Sequence, residues 1–242
     1  MEIRLNKFLA ERLGLSRREA DDIIASGKIT VNGEVAKLGA RISEKDQVAY
    51  AGKAVVFEKT YTYLKFNKPV GFVCSRKKQG EADTIYSLIP EKYRALKTVG
   101  RLDKDSCGLI LLTDDGDFAF KLTHPKFQKH KTYLVILDRP LEPLHQQMVS
   151  DFGVDLPDGR SQLILSHPDK KDLEFFTQKI SQADLNSDNR KIWRIEMSEG
   201  RNRQIRRTFA ALGYRVIFLR RIEFDNFLLG PLKEGSWEEI SL

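Results

Sequence analysis

The chain has 242 residues, with 41 Lys and Arg against 34 Asp and Glu and a formal charge of +7. A hydrophobic content of 41% excludes a disordered chain, and the length suits one large domain or a small one beside a medium one. Two cysteines, Cys74 and Cys107, with no C-x-x-C pair exclude a disulfide scaffold and a zinc ribbon. The charged N-terminus and the lack of a membrane-length apolar run point to a cytoplasmic protein with reduced thiols and no membrane partner.

Residues 2–50 read as a self-contained module. In "RLNKFLAERLG" the residues Leu5, Phe8, Leu9 and Leu13 share one helical face, and Gly14 is the stop. Ser16 with Glu19 forms a capping box for a second helix that buries Ala20, Ile23 and Ile24 and ends at Gly27. "KITVNGEVA" is a hairpin around Asn32-Gly33, the preferred type I′ pair. Nine basic residues face eight acidic ones up to position 50, so any affinity for a polyanion must come from their placement. Residues 51–60 suit a linker, although "AVVF" could be a short strand.

From Tyr61 the pattern changes. "YTYLKFNKP" alternates as a strand that Pro69 ends. "GFVCS" reads as a short strand, "LILLT" as a buried one, and "GDFAFKLTHP" as a helix stopped by Pro125. "KTYLVIL" is a strand, "LEPLHQQMVSDFG" a helix, and "SQLILSH" and "KIWRIEMSEG" strands, with "ADLNSDNRK" as a polar hairpin tip. "RNRQIRRTFAALGY" is an amphipathic helix ended by Gly213; "RVIFLRRIEF" and "GSWEEISL" close the chain as strands. Strands dominate without strict β-α-β alternation, so the class is α+β with a central mixed, largely antiparallel sheet.

The stretch "VGRLDKDSCGLILLTDDG", Val99–Gly116, carries the chemistry. Asp103, Asp105 and Gly108 match three positions of a calcium loop, but Cys107 stands where an oxygen ligand belongs and Asp114 replaces the closing Glu. D-x-D-S also resembles a phosphoaspartate site, yet there the apolar strand should precede the aspartates, and here it follows them. No metal site is expected. A third reading is a single working carboxylate, Asp103, kept ionised by a basic neighbour such as Arg101. Local spacing alone favours an ordinary turn aspartate over this reading. Asp105 and Asp114 read as turn residues, and Cys107 as a small packing residue.

The order of larger motifs decides. "RLNKFLAERLGLSRREADDIIASGKITVNGEVAKLGARI" resembles the S4 RNA-binding domain. "KPVGFVCS", "VGRLDKDSCGLILLTDDGD", "LTHPKFQKHKTYLV" and "EGRNRQIRRTFAALGY" follow it in the order seen in ribosomal RNA pseudouridine synthases of the RsuA family. The resemblance implies an S4 module over 1–50, a linker over 51–60 and a catalytic domain over 61–242. It implies a cofactor-free isomerisation of uridine in ribosomal RNA, free or in an assembly intermediate, by a monomer. The alternative is a noncatalytic RNA-binding or ribosome-assembly factor that keeps the fold.

The resemblance also assigns residues. Asp103 matches the essential aspartate of GRLD, with covalent attack and removal of a ribose proton both open to it. Tyr133 of "KTYLV" matches the aromatic platform for a flipped base, and Arg206 the arginine that pairs with the carboxylate. Arg101 is expected to fill the space the base leaves or to contact a phosphate. Lys68 and the loop "SRKKQG" are expected along the RNA channel, and Arg17, Arg18 and Lys28 on the RNA-binding surface of the S4 module.

Overall fold

The computed structural model describes residues 2–57, 60–77, 79–174 and 190–242. The chain divides into two compact units: residues up to Thr62 with Asp114–Gly116, and Tyr63–Thr113 with Asp117–Leu242.

In the small unit, β1 (Ile3–Arg4) leads into α1 (Leu5–Leu13), and α2 (Arg17–Ala25) follows. Leu5, Phe8 and Leu9 of α1 and Ala20 and Ile24 of α2 are buried against each other, at the spacing their sequence anticipates. Gly14 ends α1 at φ +71°, where a side chain would be strained, and Ser16 and Glu19 exchange both hydrogen bonds of the capping box. Then come β2 (Ile29–Val31), β3 (Glu34–Val35), β4 (Arg41–Ile42), β5 (Val48–Tyr50) and β6 (Lys53–Ala54). β4 pairs with β1, and the others form a sheet in the order β3-β2-β5-β6. Asn32 and Gly33 both have positive φ, as a type I′ turn requires. Residues 53–54 complete this sheet, and the Phe57 ring lies 4.4 Å from that of Phe8. The first part of the expected linker is therefore built into this unit.

The large unit is organised on a mixed sheet. Its strands are β7 (Tyr63–Lys68), β8 (Lys97–Val99), β9 (Cys107–Thr113), β10 (Lys131–Leu137), β13 (Ile164–Ser166), β14 (Ile192–Met197), β15 (Val216–Phe224), β16 (Phe227–Leu228) and β17 (Trp237–Glu239). The main order is β13-β14-β10-β15-β9-β7-β17, with β8 on β9 and β16 on β15. Among the described pairs of these strands, only β15 with β9 is parallel. Between β10 and β13 a separate hairpin joins β11 (Val154–Leu156) to β12 (Gly159–Ser161).

Both faces of the sheet are covered, so the strands read as continuous apolar runs. On β10, Tyr133, Val135 and Leu137 enter one core, and Leu134 and Ile136 the other. All seven residues of β9 are buried. Helices α3 (Gly116–Thr123), α4 (Pro143–Gln147), α5 (Lys170–Glu174) and α6 (Gln204–Ala211) complete the unit, α4 continuing through a π turn to Phe152. Ile205 and Phe209 seat α6 on the core that also holds Trp193.

Two local expectations change. "GFVCS" is not a strand: Gly71 turns the chain at φ +95°, and only Val73 bridges to Thr84. The expected hairpin tip "ADLNSDNRK" falls mostly outside the described residues.

Candidate active site

β9 enters the interior of the sheet, between β15 and β7, so the loop before it emerges there. Gly108 makes this possible. At φ +102°, a Cβ there would lie 2.2 Å from the Arg221 carbonyl oxygen and 2.7 Å from its amide nitrogen. Only glycine lets β9 and β15 approach at this point.

The loop 100–106 is held by its backbone. The Leu102 amide and carbonyl both meet Cys74 Sγ at 3.4 Å. The Lys104 carbonyl accepts from the Gly71 amide at 2.8 Å, and the Asp105 carbonyl from Arg206 Nη2 at 2.7 Å. The Ser106 carbonyl accepts from Lys68 Nζ at 2.7 Å. With these groups anchored, the Asp103 side chain projects into a cleft of about 810 Å³.

Seven basic side chains and three carboxylates line that cleft. Two of the carboxylates are engaged: Asp158 takes both nitrogens of the Arg207 fork, at 2.9 and 2.7 Å, and Glu199 accepts from Arg201 and Gln204. Asp103 is the third. Among the described residues its carboxylate accepts no hydrogen bond, and Arg203 Nη1 stands 3.7 Å away. Tyr133, in the middle of the sheet, lines the same cleft and is 8% exposed. Arg101 is exposed at the rim.

The structure corrects two sequence expectations. Arg206 does not pair with Asp103. It lies in the first turn of α6, where Nη1 and Nη2 bridge the Val216 and Asp105 carbonyls at 2.7 Å, and Nε stands 3.3 Å from the Asp105 carboxylate. Lys68 does not face a channel. It is fully buried, donating to the Pro69 and Ser106 carbonyls, and burial pulls its pKa below that of a free lysine. In the loop "SRKKQG", Arg76 donates to the Ala95 and Leu96 carbonyls and lies over the Tyr86 ring, and both Arg76 and Lys77 are exposed.

Asp105 is an ion-pair anchor as well as a turn residue. Arg203 closes on it at 2.9 and 2.7 Å. Burial alone would raise the Asp105 carboxyl, but the Arg203 hydrogen bonds and the charges of Arg206 and Arg203 outweigh it and hold it below the usual carboxylate range. Cys107 is a buried packing residue with Sγ 3.6 Å from the Leu219 carbonyl. The Asp114 carboxylate accepts from the Thr62 amide. In the small unit Arg17, Arg18 and Lys28 are all exposed.

Three further residues escaped the sequence reading. Arg203 takes the left-handed conformation, φ +48°, before α6, and this turns its fork toward the aspartates. Arg221 is buried, donates Nε to the Leu109 carbonyl at 2.8 Å and lines the cleft. Lys131 also lines it, its pKa pushed down to about 8 by burial and by Arg221. The sequence signal for Arg203 and Arg221 was the density of arginine in "EGRNRQIRR" and "FLRRIEF", and for Lys131 its place beside Tyr133 in "KTYLV".

A carboxylate free of hydrogen bonds among the described residues and an aromatic ring, lining one cleft with seven basic side chains, suit chemistry on a polyanion. Comparison with known proteins narrows the class. The profile described as RNA pseudouridylate synthase matches residues 62–211, and that of the S4 domain matches residues 3–48. The ribosomal small subunit pseudouridine synthase A of Pasteurella multocida is 36% identical over 242 residues, covering 99% of this chain and 96% of that protein. The ribosomal large subunit pseudouridine synthase B of Bacillus subtilis is 33% identical, covering 98% and 92%. A crystal structure of a pseudouridylate synthase superposes with a TM-score of 0.64 at 32% identity, covering 99% and 96%.

The chain belongs to the RNA pseudouridylate synthase family, with an S4 domain at its N-terminal end. It is an isomerase that converts uridine to pseudouridine in RNA, and the noncatalytic alternative is set aside.

Proposed function

We propose that the substrate is a uridine in ribosomal RNA and that Asp103 is the carboxylate that acts on it. One observation carries the assignment: of the three carboxylates in the cleft, Asp103 alone accepts no hydrogen bond among the described residues. A carboxylate with no hydrogen bond to satisfy it, beside a guanidinium, is available to a substrate.

The uridine leaves its stack to reach the cleft, and the flipped base lies against Tyr133. The N1–C1′ bond breaks, the uracil turns in place, and C5 bonds to C1′ while its proton is transferred away and N1 gains one. Atoms and electrons balance within the nucleoside, so the reaction calls for no redox partner. Arg203 orients the Asp103 carboxylate from 3.7 Å, and Arg206 fixes the loop through the Asp105 carbonyl. Arg101 at the rim is suited to a phosphate or to the gap in the stack. Arg17, Arg18 and Lys28 supply RNA contacts on the S4 module.

The test incubates the full chain with unmodified small-subunit and large-subunit ribosomal RNA transcripts and maps pseudouridine by carbodiimide and primer extension. A new stop in one transcript, lost in Asp103→Asn while RNA binding stays within about threefold, is the expected result. Binding without modification of either transcript would overturn the ribosomal substrate. An active Asp103→Asn variant would overturn the assignment of the carboxylate.

A further inference from the structure

α3 carries an outward-facing aromatic that its packing does not explain. Phe118 and Leu122, four residues apart, face inward: Leu122 is buried, and the Phe118 ring meets those of Tyr63 and Phe227 edge-on. Phe120 lies off that face and is 46% exposed. Just beyond the helix, Phe127 is 38% exposed, its ring centroid 5.9 Å from that of Phe120. The His124 imidazole joins them, 4.6 Å from Phe120 and 6.4 Å from Phe127. The Lys126 ammonium lies 5.2 Å from the Phe120 ring centre and 4.7 Å from that of Phe127.

A single exposed phenylalanine is ordinary, but a cluster of rings capped by a cation has a meaning to be found. Two observations say what covers it. The first is charge: from Phe118 to Lys131 the chain carries four lysines and two histidines and no acidic residue. A basic stretch interleaved with aromatics suits the phosphates and the bases of a single strand. The second is continuity: His124, Pro125, Gln128 and Lys129 line the cleft that holds Asp103. Gly100, which opens the catalytic loop, sits where a Cβ would touch Thr123 at 3.6 Å. His124 Nδ1 accepts from the Lys126 amide at 3.2 Å, which leaves Nε2 as the ring's other hydrogen-bonding atom.

We propose that Phe120, His124 and Phe127 form a stacking platform for an unpaired nucleotide flanking the target uridine, with Lys126 contacting its phosphate. The platform rests on the reading of the adjacent cleft as the uridine site. It gives the enzyme a second grip on the RNA strand beside the flipped base, in a form that tolerates any base, because every base offers a π face.

The test compares the full chain with a Phe120→Ala, Phe127→Ala double variant and with Phe120→Tyr, Phe127→Tyr, which keeps the rings. Binding is read by fluorescence anisotropy with a labelled octauridylate and with an abasic ribose-phosphate octamer of equal charge. Loss of one stacked base lowers affinity by about 5- to 150-fold. The alanine pair should lose that much on octauridylate and under twofold on the abasic strand, with the tyrosine pair close to the parent. Equal losses on both strands, a loss under twofold, or no parental binding of octauridylate would overturn the platform. On a ribosomal RNA transcript the alanine pair should raise KM with kcat within about threefold; a fall in kcat at constant KM would assign the rings to structure instead. Unchanged binding of naked RNA with weakened binding of ribosomal particles would assign the patch to a protein. If the parent forms no pseudouridine in ribosomal transcripts, the ribosomal substrate falls, and the two octamers still decide the platform.

Discussion

Arg203 holds Asp105 with both nitrogens of its fork, at 2.9 and 2.7 Å, while Nη1 remains 3.7 Å from Asp103. The second aspartate of the loop thus fixes the guanidinium that faces the first. Asp105→Asn removes the charge that fixes Arg203 and Arg206 without changing the size of the side chain. A misplacement of about 1 Å at a reacting group costs on the order of 10²-fold in rate. We expect kcat to fall by that order with KM within about threefold, measured by pseudouridine formation in a transcript. A KM effect alone would show that Arg203 serves RNA binding instead.

Lys68 separates two roles that a lysine near a cleft can take. It is fully buried, and both described bonds of its ammonium go to backbone carbonyls, Pro69 and Ser106. Lys68→Met keeps the stem and leaves the Ser106 carbonyl without this donor, costing about 1–3 kcal/mol for an unsatisfied buried acceptor. Chemical denaturation should show that loss, and kcat should fall because the loop is no longer held. The salt dependence of RNA affinity should not change. A slope reduced by about one would restore Lys68 as a phosphate contact.

Local geometry was legible in the sequence where one residue sets it. Gly14 stops α1, Ser16 and Glu19 cap α2, and Asn32-Gly33 turns the first hairpin, because each signal is a backbone preference that needs no partner from afar. The motif singled out Asp103, and its carboxylate lines the cleft, 3.7 Å from Arg203. The fate of each lysine and arginine was not legible. Lys68 ends a strand before a proline and reads as solvent-facing, but its position beside β9 buries it. Arg203 and Arg206 lie three residues apart, and only the left-handed turn at Arg203 decides which of them meets the aspartates with its fork.

Gly108 is a test of how tightly the loop depends on the β9–β15 contact. A Cβ at this position meets the Arg221 backbone, at 2.2 Å from O and 2.7 Å from N, and φ is +102°. Backbone cannot swing aside as a side chain can, so Gly108→Ala should cost at least about 2 kcal/mol from strain and overpacking. Thermal unfolding should show the loss, with activity reduced further than stability alone explains. A variant as stable as the parent would show that the two strands separate without cost there.

The proposed S4 contacts predict a salt signature. Arg17, Arg18 and Lys28 are exposed on the small unit. Each phosphate contact contributes about 0.9 to the slope of log affinity against log salt for a duplex. Replacing all three by Gln should lower that slope by about two to three and raise KM, leaving kcat at saturating RNA unchanged. An unaltered slope would move the RNA-binding surface elsewhere on the module.

Lys131 makes RNA affinity depend on pH above neutrality. Burial and the charge of Arg221 bring its ammonium to about 8, and it lines the cleft. At pH 7 it is mostly charged; at pH 9 it is mostly neutral in the free enzyme. A bound polyanion favours the charged form, so binding takes up a proton in this range, and affinity falls by at most about tenfold per pH unit. Folding responds with the opposite sign. The unfolded chain keeps this proton up to the usual lysine range, so between about 8 and that range it binds more protons than the native state, and stability rises with pH. Weaker binding at pH 9 therefore does not report unfolding. Lys131→Arg should flatten the profile at high affinity, and Lys131→Gln should flatten it at low affinity. Equal pH dependence in all three proteins would place the titrating group elsewhere.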